Sequence, residues 1–467
     1  VDRRSSARSP ADARRARSGA LVVLLALASV GCASSETITA LERPRVAATA
    51  RLRERGRPSA EADDLAERAE RDAVVALALA RSPSIGVLAH RARALVHAGR
   101  AEAALPAAEL GLSAWNLPLA RPYAAGEADM YMVELRQRFP AAGSRDARGR
   151  AMAEEAEALL AELSAEERLV AERALEAYAD YVEASEARAL QRRQQALLER
   201  VREGVRARYS TGGSALADAA RVEIELAKSR RALARVDGDV ARARSSLNAL
   251  LRRPASAPLA EPAAGPAETI RLPIDELLAR AASKRGPVLA AGARARAAEA
   301  RREAADAEAH MPEIMIGIGY WQVPKTRPGV GLTASMSLPW LWGPGRERSA
   351  QAHEEERAAA SERDAAAIGA QAEVTEAHAR LAALEAQLLV LRREALPAAR
   401  RSVDAIAAAY TTGGASLLDW VDAARSALDL EVEANELRAG LARGAAALER
   451  AVGAPLPRAP LAVEADR

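Results

Sequence analysis

Cysteine is almost missing from this chain. Of 467 residues only Cys32 carries a thiol, so no intrachain disulfide can staple the fold. Long apolar runs are missing too: the stretch Ala20–Ala28 is too short to span a bilayer as a stable helix. The Gly-Gly pairs lack the lysine of a phosphate-binding loop and lie between helical segments, which removes the common nucleotide-binding reading. Catalytic groups are sparse. The histidines (His90, His97, His310, His353, His378) are scattered and read as surface or interhelix packing. Met130, Met132, Met311, Met315 and Met336 lie in strand-like segments, where packing outweighs thioether ligation of a soft metal.

Charge of one sign is concentrated at the front. The formal net charge is +3, yet residues 1–31 hold six arginines against two aspartates, so the remainder carries −1. The basic character therefore argues for no nucleic-acid partner. Residues 1–31 have the arginine-rich, apolar and small-residue parts of a secretory signal, here of lipoprotein type, with Cys32 directly after it. A cysteine there is the expected acceptor of an N-terminal lipid; an idle thiol behind an ordinary signal cut is the alternative. Residues 32–66 are polar without sustained periodicity and read as a lipid-anchored tether.

The rest of the chain says nearly the same thing twice. Tyr209-Ser-Thr-Gly-Gly-Ser-Ala-Leu-Ala-Asp218 recurs as Tyr410-Thr-Thr-Gly-Gly-Ala-Ser-Leu-Leu-Asp419. Upstream, Arg81-Ser82-Pro83 pairs with Arg285-Gly286-Pro287, Leu105-Pro106 with Met311-Pro312, and Phe139-Pro140 with Leu338-Pro339. The spacing is too long for a solenoid and implies a duplicated half-protein. The expected division is a first repeat over 67–253, a proline-rich linker over 254–270, a second repeat over 271–455 and a tail over 456–467. Each repeat runs helix, strand pair, long helix, Gly-Gly turn, helix.

Proline is absent between Ala141 and Arg253, where Ala, Leu, Glu and Arg dominate. A helix from Ser144 to Arg208 would extend roughly 100 Å at 1.5 Å per residue. A rod of that length must bury a continuous stripe, and alanine permits close approach of neighbours. Its counterpart over about 346–409 contains Pro397, which should kink or break it.

Four segments alternate with period two: about 107–117, 129–139, 312–322 and 329–338. Val330, Leu332, Ala334, Met336 and Leu338 share one face against Gly331, Thr333, Ser335 and Ser337. Ile314, Ile316, Ile318 and Tyr320 form another such face, as do Val133, Leu135 and Phe139. Aromatics are scarce, yet Trp115, Tyr123, Tyr131, Phe139, Tyr320, Trp321, Trp340 and Trp342 fall in or beside these segments, several at strand ends. That is the pattern of tilted membrane strands with interfacial girdles. Four strands cannot close a barrel, and an open edge in lipid leaves backbone groups unsatisfied, so copies must pool their strands.

On these residues the chain resembles the TolC-type outer-membrane efflux ducts, in their lipid-anchored branch. The resemblance runs from about Ala69 to Pro455. It rests on the Tyr-x-x-Gly-Gly turns, on the helix ends Leu247-Asn-Ala-Leu-Leu251 and Leu448-Glu-Arg-Ala-Val-Gly453, and on Leu338-Pro-Trp-Leu-Trp-Gly-Pro-Gly-Arg346 leading from a strand into a helix. It implies an α+β, mostly α fold, in which long antiparallel helical hairpins form a periplasmic tunnel. Four strands per chain would be pooled into a twelve-stranded barrel in a homotrimer. The implied role is a passive, non-enzymatic duct of a tripartite efflux system, in the outer membrane and reaching into the periplasm. The implied partners are a periplasmic adaptor and an inner-membrane pump of RND or ABC type, with outer-membrane lipid around the barrel. No cofactor is implied beyond the lipid on Cys32.

The resemblance also implies a gate at the periplasmic tips, on Asp419 and Asp422. Two carboxylates at i, i+3 lie on one helical face near its N-terminus, where negative charge is tolerated; three copies would ring the axis with them. Helix capping is the bland alternative for the same residues. Ala415 stands where some members place a basic residue of a closing salt bridge. Asp218 is the first-repeat equivalent, a secondary gate candidate, with Arg221 in the place of Asp422. Gly212, Gly213, Gly413 and Gly414 mark the tips expected to meet the adaptor. The Leu-Pro-Trp-Leu-Trp stretch is similar to members paired with heavy-metal pumps, and metal ions and other small molecules both stay open as cargo. A coiled-coil adaptor or scaffold without a pore is the competing reading.

Overall fold

The computed structural model describes residues 34–55, 65–117, 119–121, 123, 125–210, 216–262, 265–324 and 326–461. The signal segment and Cys32 lie outside the described residues, as do Gly212 and Gly213. The chain divides into two compact units, one of Val1–Thr49, His90–Leu160 and Ala290–Arg363, the other of Ala50–Ala89, Ala161–Leu289 and Asp364–Arg467.

Helices dominate both repeats. The first contains α2 (Arg71–Arg81), α3 (Pro83–Ala103), strands β1 (Glu109–Trp115) and β2 (Met130–Phe139), α4 (Ser144–Ser210) and α5 (Leu216–Leu250). The second contains α6 (Ile274–Lys284), α7 (Gly286–His310), β4 (Ile314–Gln322), β5 (Gly329–Met336), α8 (Gly345–Val390), α9 (Leu396–Thr412) and α10 (Leu417–Val452). Two side-chain contacts match at positions paired in the sequence. Arg81 donates to the carbonyl of Leu251 at 3.3 Å, and Arg285 donates to that of Ala451 at 3.3 Å. Each arginine thus satisfies an orphan carbonyl at the end of the last helix of its own repeat.

Three local features differ from the sequence expectation. Residues 32–66, read as an irregular tether, hold a helix preceding α2, labelled α1 (Ser35–Arg55). Its buried stripe is Thr37, Leu41, Pro44 and Ala48, at helical spacing. A threonine, a proline and an alanine carry little hydropathy, so the period was invisible to an apolar count. Close backbone approach holds α1 in place: a Cβ on Gly149 would lie 2.7 Å from Thr37 Cγ2. Second, Pro397 does not break its helix. A π turn over Leu391–Ala395 precedes it, with Leu396 N–H donating to Leu391 O. Widening the ladder by one residue accommodates a ring that lacks an N–H and crowds the preceding turn. Third, the linker and tail pair: β3 (Glu268–Thr269) and β6 (Ala459–Pro460) form a two-stranded ribbon.

Leucine fills the main core of the second unit. Leu277, Leu381, Leu388, Leu441 and Leu448 are at most 2% exposed and pack together with Val374 and Val452. Each such burial stabilises by roughly 1.5–3 kcal/mol. A separate cluster joins Val74, Leu77, Val170, Tyr181, Val240 and Leu247, with the Tyr181 hydroxyl donating to Ala260 O at 3.1 Å.

The four long strands make one antiparallel sheet in the first unit, ordered β1-β2-β4-β5. Register places like with like. Leu110, Leu135, Ile318 and Leu332 form one cross-strand row, and Leu112, Val133, Tyr320 and Val330 the next. On the opposite face run Gly111, Glu134, Gly319 and Gly331, then Glu109, Arg136, Gly317 and Thr333.

Candidate functional site

Two regions carry the functional argument: the sheet and the second-repeat tip. The apolar rows of the sheet are uncovered. Leu112 is 73% exposed and Leu332 76%, and Leu110, Val133, Leu135, Ile318, Tyr320 and Val330 are exposed beside them. A contiguous apolar face of this kind marks an interaction surface, because water penalises it. Trp115 and Tyr123 stand exposed at one end of the strands, Trp340 and Trp342 just beyond the other. The opposite face is polar. Glu134 is buried there, accepting from Thr333 Oγ1 at 2.9 Å and paired with Arg136. Trp321 shares this face, and its indole lies against Gly329 and Gly331, which leave room for it. Strands β1 and β5 each have one neighbour in the sheet and therefore present free edges.

At the second-repeat tip the turn between α9 and α10 is closed by two caps. Gly413 sits at φ 80°, a left-handed conformation that suits glycine. Gly413 N–H donates to Tyr410 O at 3.3 Å and Gly414 N–H to Ala409 O at 2.8 Å, the pattern of a Schellman motif. Three residues on, Ser416 caps α10. Its hydroxyl accepts from Asp419 N–H at 3.2 Å, while Asp419 Oδ2 accepts from Ser416 N–H at 2.9 Å and from Ser416 Oγ at 2.7 Å. This is a reciprocal capping box. The hydrogen bonds from the Ser416 hydroxyl and amide hold the Asp419 carboxyl below the usual aspartate range.

Asp419 and Asp422 are both exposed, on the side of α10 away from Leu417, Val421 and Ala424. Those apolar residues bury the tip against the first repeat, where Leu417 and Val421 meet Leu198, Val201, Val205, Val222 and Leu226. The Tyr410 and Trp420 rings pack at 5.5 Å between centroids. The two aspartates share a face as the i, i+3 spacing predicts, but their environments differ. Asp419 is bound into the cap. The Asp422 carboxylate has no hydrogen-bond or ion-pair partner among the described residues. Asp218 stands half-buried in the first turn of α5.

Sequence reasoning missed several contacts. Gly317, Gly319, Gly329 and Gly331 all lie on the polar face of the sheet, a same-face glycine pattern that points to bulky groups lying over them. Asp146, in the first turn of α4, binds the start of α1; nothing in the sequence pairs residues so far apart.

Residues 277–454 match the family described as outer membrane efflux protein. Among solved structures the chain is similar to CusC, with a TM-score of 0.70 and 17% identity over 83% of this chain and 93% of that one. It is similar to the outer membrane protein VceC of Vibrio cholerae, with a TM-score of 0.68 and 19% identity over 84% of this chain and 98% of that one. The open state of the MtrE outer membrane channel of Neisseria gonorrhoeae gives a TM-score of 0.63 and 21% identity over 82% and 88%. At these identities the likeness is one of fold. No curated protein matches the chain.

Proposed function

We propose, from the match of residues 277–454 to the outer membrane efflux protein family, that the chain is the outer-membrane duct of a tripartite efflux system. One observation carries the reading: a sheet whose apolar face is uncovered and whose two edges are open. Hydrocarbon suits the face, but it forbids the edges unless β1 of one copy pairs with β5 of the next. Three copies then close a twelve-stranded barrel, with Glu134, Arg136, Thr333 and Trp321 on its lumenal side. The long helices extend the passage into the periplasm, where the Gly-Gly tips, Gly212-Gly213 and Gly413-Gly414, meet an adaptor. An inner-membrane pump of RND or ABC type supplies the driving force and the duct catalyses nothing.

In this reading Cys32 carries the lipid anchor. Asp422 with Asp419, from three copies, forms the acidic constriction at the tips, and Asp218 is a lesser contributor. An adaptor or scaffold would instead cover the apolar strand face with protein, and the chain has no second β-domain among the described residues to do so. The test is direct. Outer-membrane fractions should give a band that migrates as a trimer unheated and as a monomer after boiling, and the purified trimer should conduct in planar bilayers with a preference for cations. A detergent-independent monomer without conductance overturns the proposal.

A further inference from the structure

The start of α1 is fastened at the foot of the strands. Ser34 N–H donates to Asp146 Oδ1 at 2.9 Å, and Thr37 Oγ1 donates to the same oxygen at 3.1 Å. Ser34 Oγ in turn lies 2.9 Å from Thr37 Oγ1 and accepts from Thr37 N–H at 3.2 Å, so it caps the helix. Asp146 also lines a cavity of about 500 Å³ in the same unit, walled by Leu105, Phe139, Met311, Pro312, Ile314 and Ile316. That size lies within the range of small-ligand pockets, about 300–1,000 Å³. The walls are apolar apart from Asp146 and Arg145.

Two features say what this groove holds. Ile314 and Ile316 lie on the apolar face of β4, and Ile314 is exposed, so the groove runs on from the surface assigned to hydrocarbon. Cys32 is two residues ahead of Ser34, and two residues span at most about 7 Å. The Ser34–Asp146 latch therefore keeps the start of any chain attached to Cys32 within reach of Asp146 on the groove wall. We infer that the groove at the foot of the strands seats an acyl chain of the lipid on Cys32. The lipid then packs on the protein before it enters the bilayer, and it ties α1, α4 and the strand bases of one copy together.

This inference rests on the lipid-anchor part of the proposed function, and the experiment separates the two. Cells making the full chain are supplied with a diazirine-bearing fatty acid. The trimer is purified, irradiated and digested, and cross-linked peptides are identified by mass. The expected product joins the Cys32 lipopeptide to peptides containing Phe139 or Met311 and Ile314. A labelled Cys32 whose chain cross-links only to free phospholipid or to other sites overturns the groove while leaving the anchor. Phospholipid cross-linked to the groove peptides in its place overturns it equally. An unlabelled Cys32 removes the anchor and the groove occupant together. Ala142 is exposed and lines the cavity, so Ala142→Trp fills the groove without disturbing a core. It should abolish the lipopeptide cross-link with the trimer intact on unheated gels; persistence of the cross-link in that variant also overturns the assignment.

Discussion

Glu134 on β2 accepts a hydrogen bond at 2.9 Å from the hydroxyl of Thr333 on β5, reaching over Gly317 of the intervening β4. Three strands are thus fastened by one polar contact on the face opposite the exposed apolar rows. Gly317 makes it possible: a Cβ there would lie 2.5 Å from Thr333 Oγ1 and 2.8 Å from Glu134 Oε1. Both side chains can rotate away, so Gly317→Ala should cost the hydrogen bond rather than the sheet, about 1 kcal/mol per chain. The temperature at which the proposed trimer dissociates on gels should fall. Thr333→Val should lower it similarly, and the double variant should be little worse than either single one, because both remove the same interaction. Full additivity would refute the shared contact.

The tip makes a sharper prediction than the sequence alone allowed. Asp419 has its carboxylate engaged by Ser416, whereas that of Asp422 is unpartnered among the described residues. If the pair constricts a pore, Asp422 contributes the more available charge. Asp422→Ala should raise single-channel conductance and weaken block by polyvalent cations. Asp419→Ala should do less to block but should loosen the tip. Ser416→Ala, which removes the cap without touching charge, should destabilise the start of α10 by about 1 kcal/mol. Equal conductance in wild type and Asp422→Ala would remove the gate assignment.

Acid should detach α1 before it unfolds the cores. Burial alone would raise the Asp146 carboxyl. The Ser34 amide, the Thr37 and Ser34 hydroxyls and the Arg145 charge outweigh it, so the group stays below the usual aspartate range. A depressed folded value means the stabilisation is fully present above the unfolded pKa, about 3.9, and is lost as pH falls through the folded value. Hydrogen exchange in residues 35–55, corrected for its intrinsic pH dependence, should show protection falling in that acidic window. Protection of α10 near Leu441 and Leu448 should persist. Asp146→Asn keeps an acceptor but no titrating charge and should flatten the pH dependence; an unchanged profile would refute the latch.

How much of this was legible beforehand depends on the kind of signal. The period-two faces of Ile314–Tyr320 and Val330–Leu338 were plain because strand alternation is a local property, and the register pairs them as the faces require. The proline-free run that became α4 was equally local. The α1 stripe was not legible, since Thr37, Pro44 and Ala48 are buried residues of low hydropathy, and Thr37 packs against Gly149, far away in sequence. At the tip, sequence spacing put Asp419 and Asp422 on one face and left their partners undetermined; only atomic geometry separates the capped carboxylate from the unpartnered one. Long-range polar contacts such as Ser34 with Asp146 have no sequence signature, because nothing local links residues 112 positions apart.

Two glycines with nearly the same backbone should respond differently to the same substitution. Gly413 has φ 80° and Gly453 has φ 82°, so alanine in either place meets the left-handed penalty, roughly 1–2 kcal/mol. Around Gly413 nothing lies within 4 Å of an added Cβ. At Gly453 that atom would sit 2.5 Å from Arg285 Cα and 2.8 Å from Lys284 O, and backbone cannot rotate aside as a side chain can. The segment it would displace is itself anchored, because the buried Arg285 ion-pairs with Glu373 at 2.7 Å and donates to Ala370 O and Ala451 O. Gly413→Ala should therefore yield folded protein with modestly lower stability. Gly453→Ala should lose several kcal/mol, the range of overpacked and strained cores, and show a much reduced yield of folded trimer. Comparable denaturation midpoints for the two variants, measured in the same detergent, would show that the junction between α6 and the end of α10 is not closely packed.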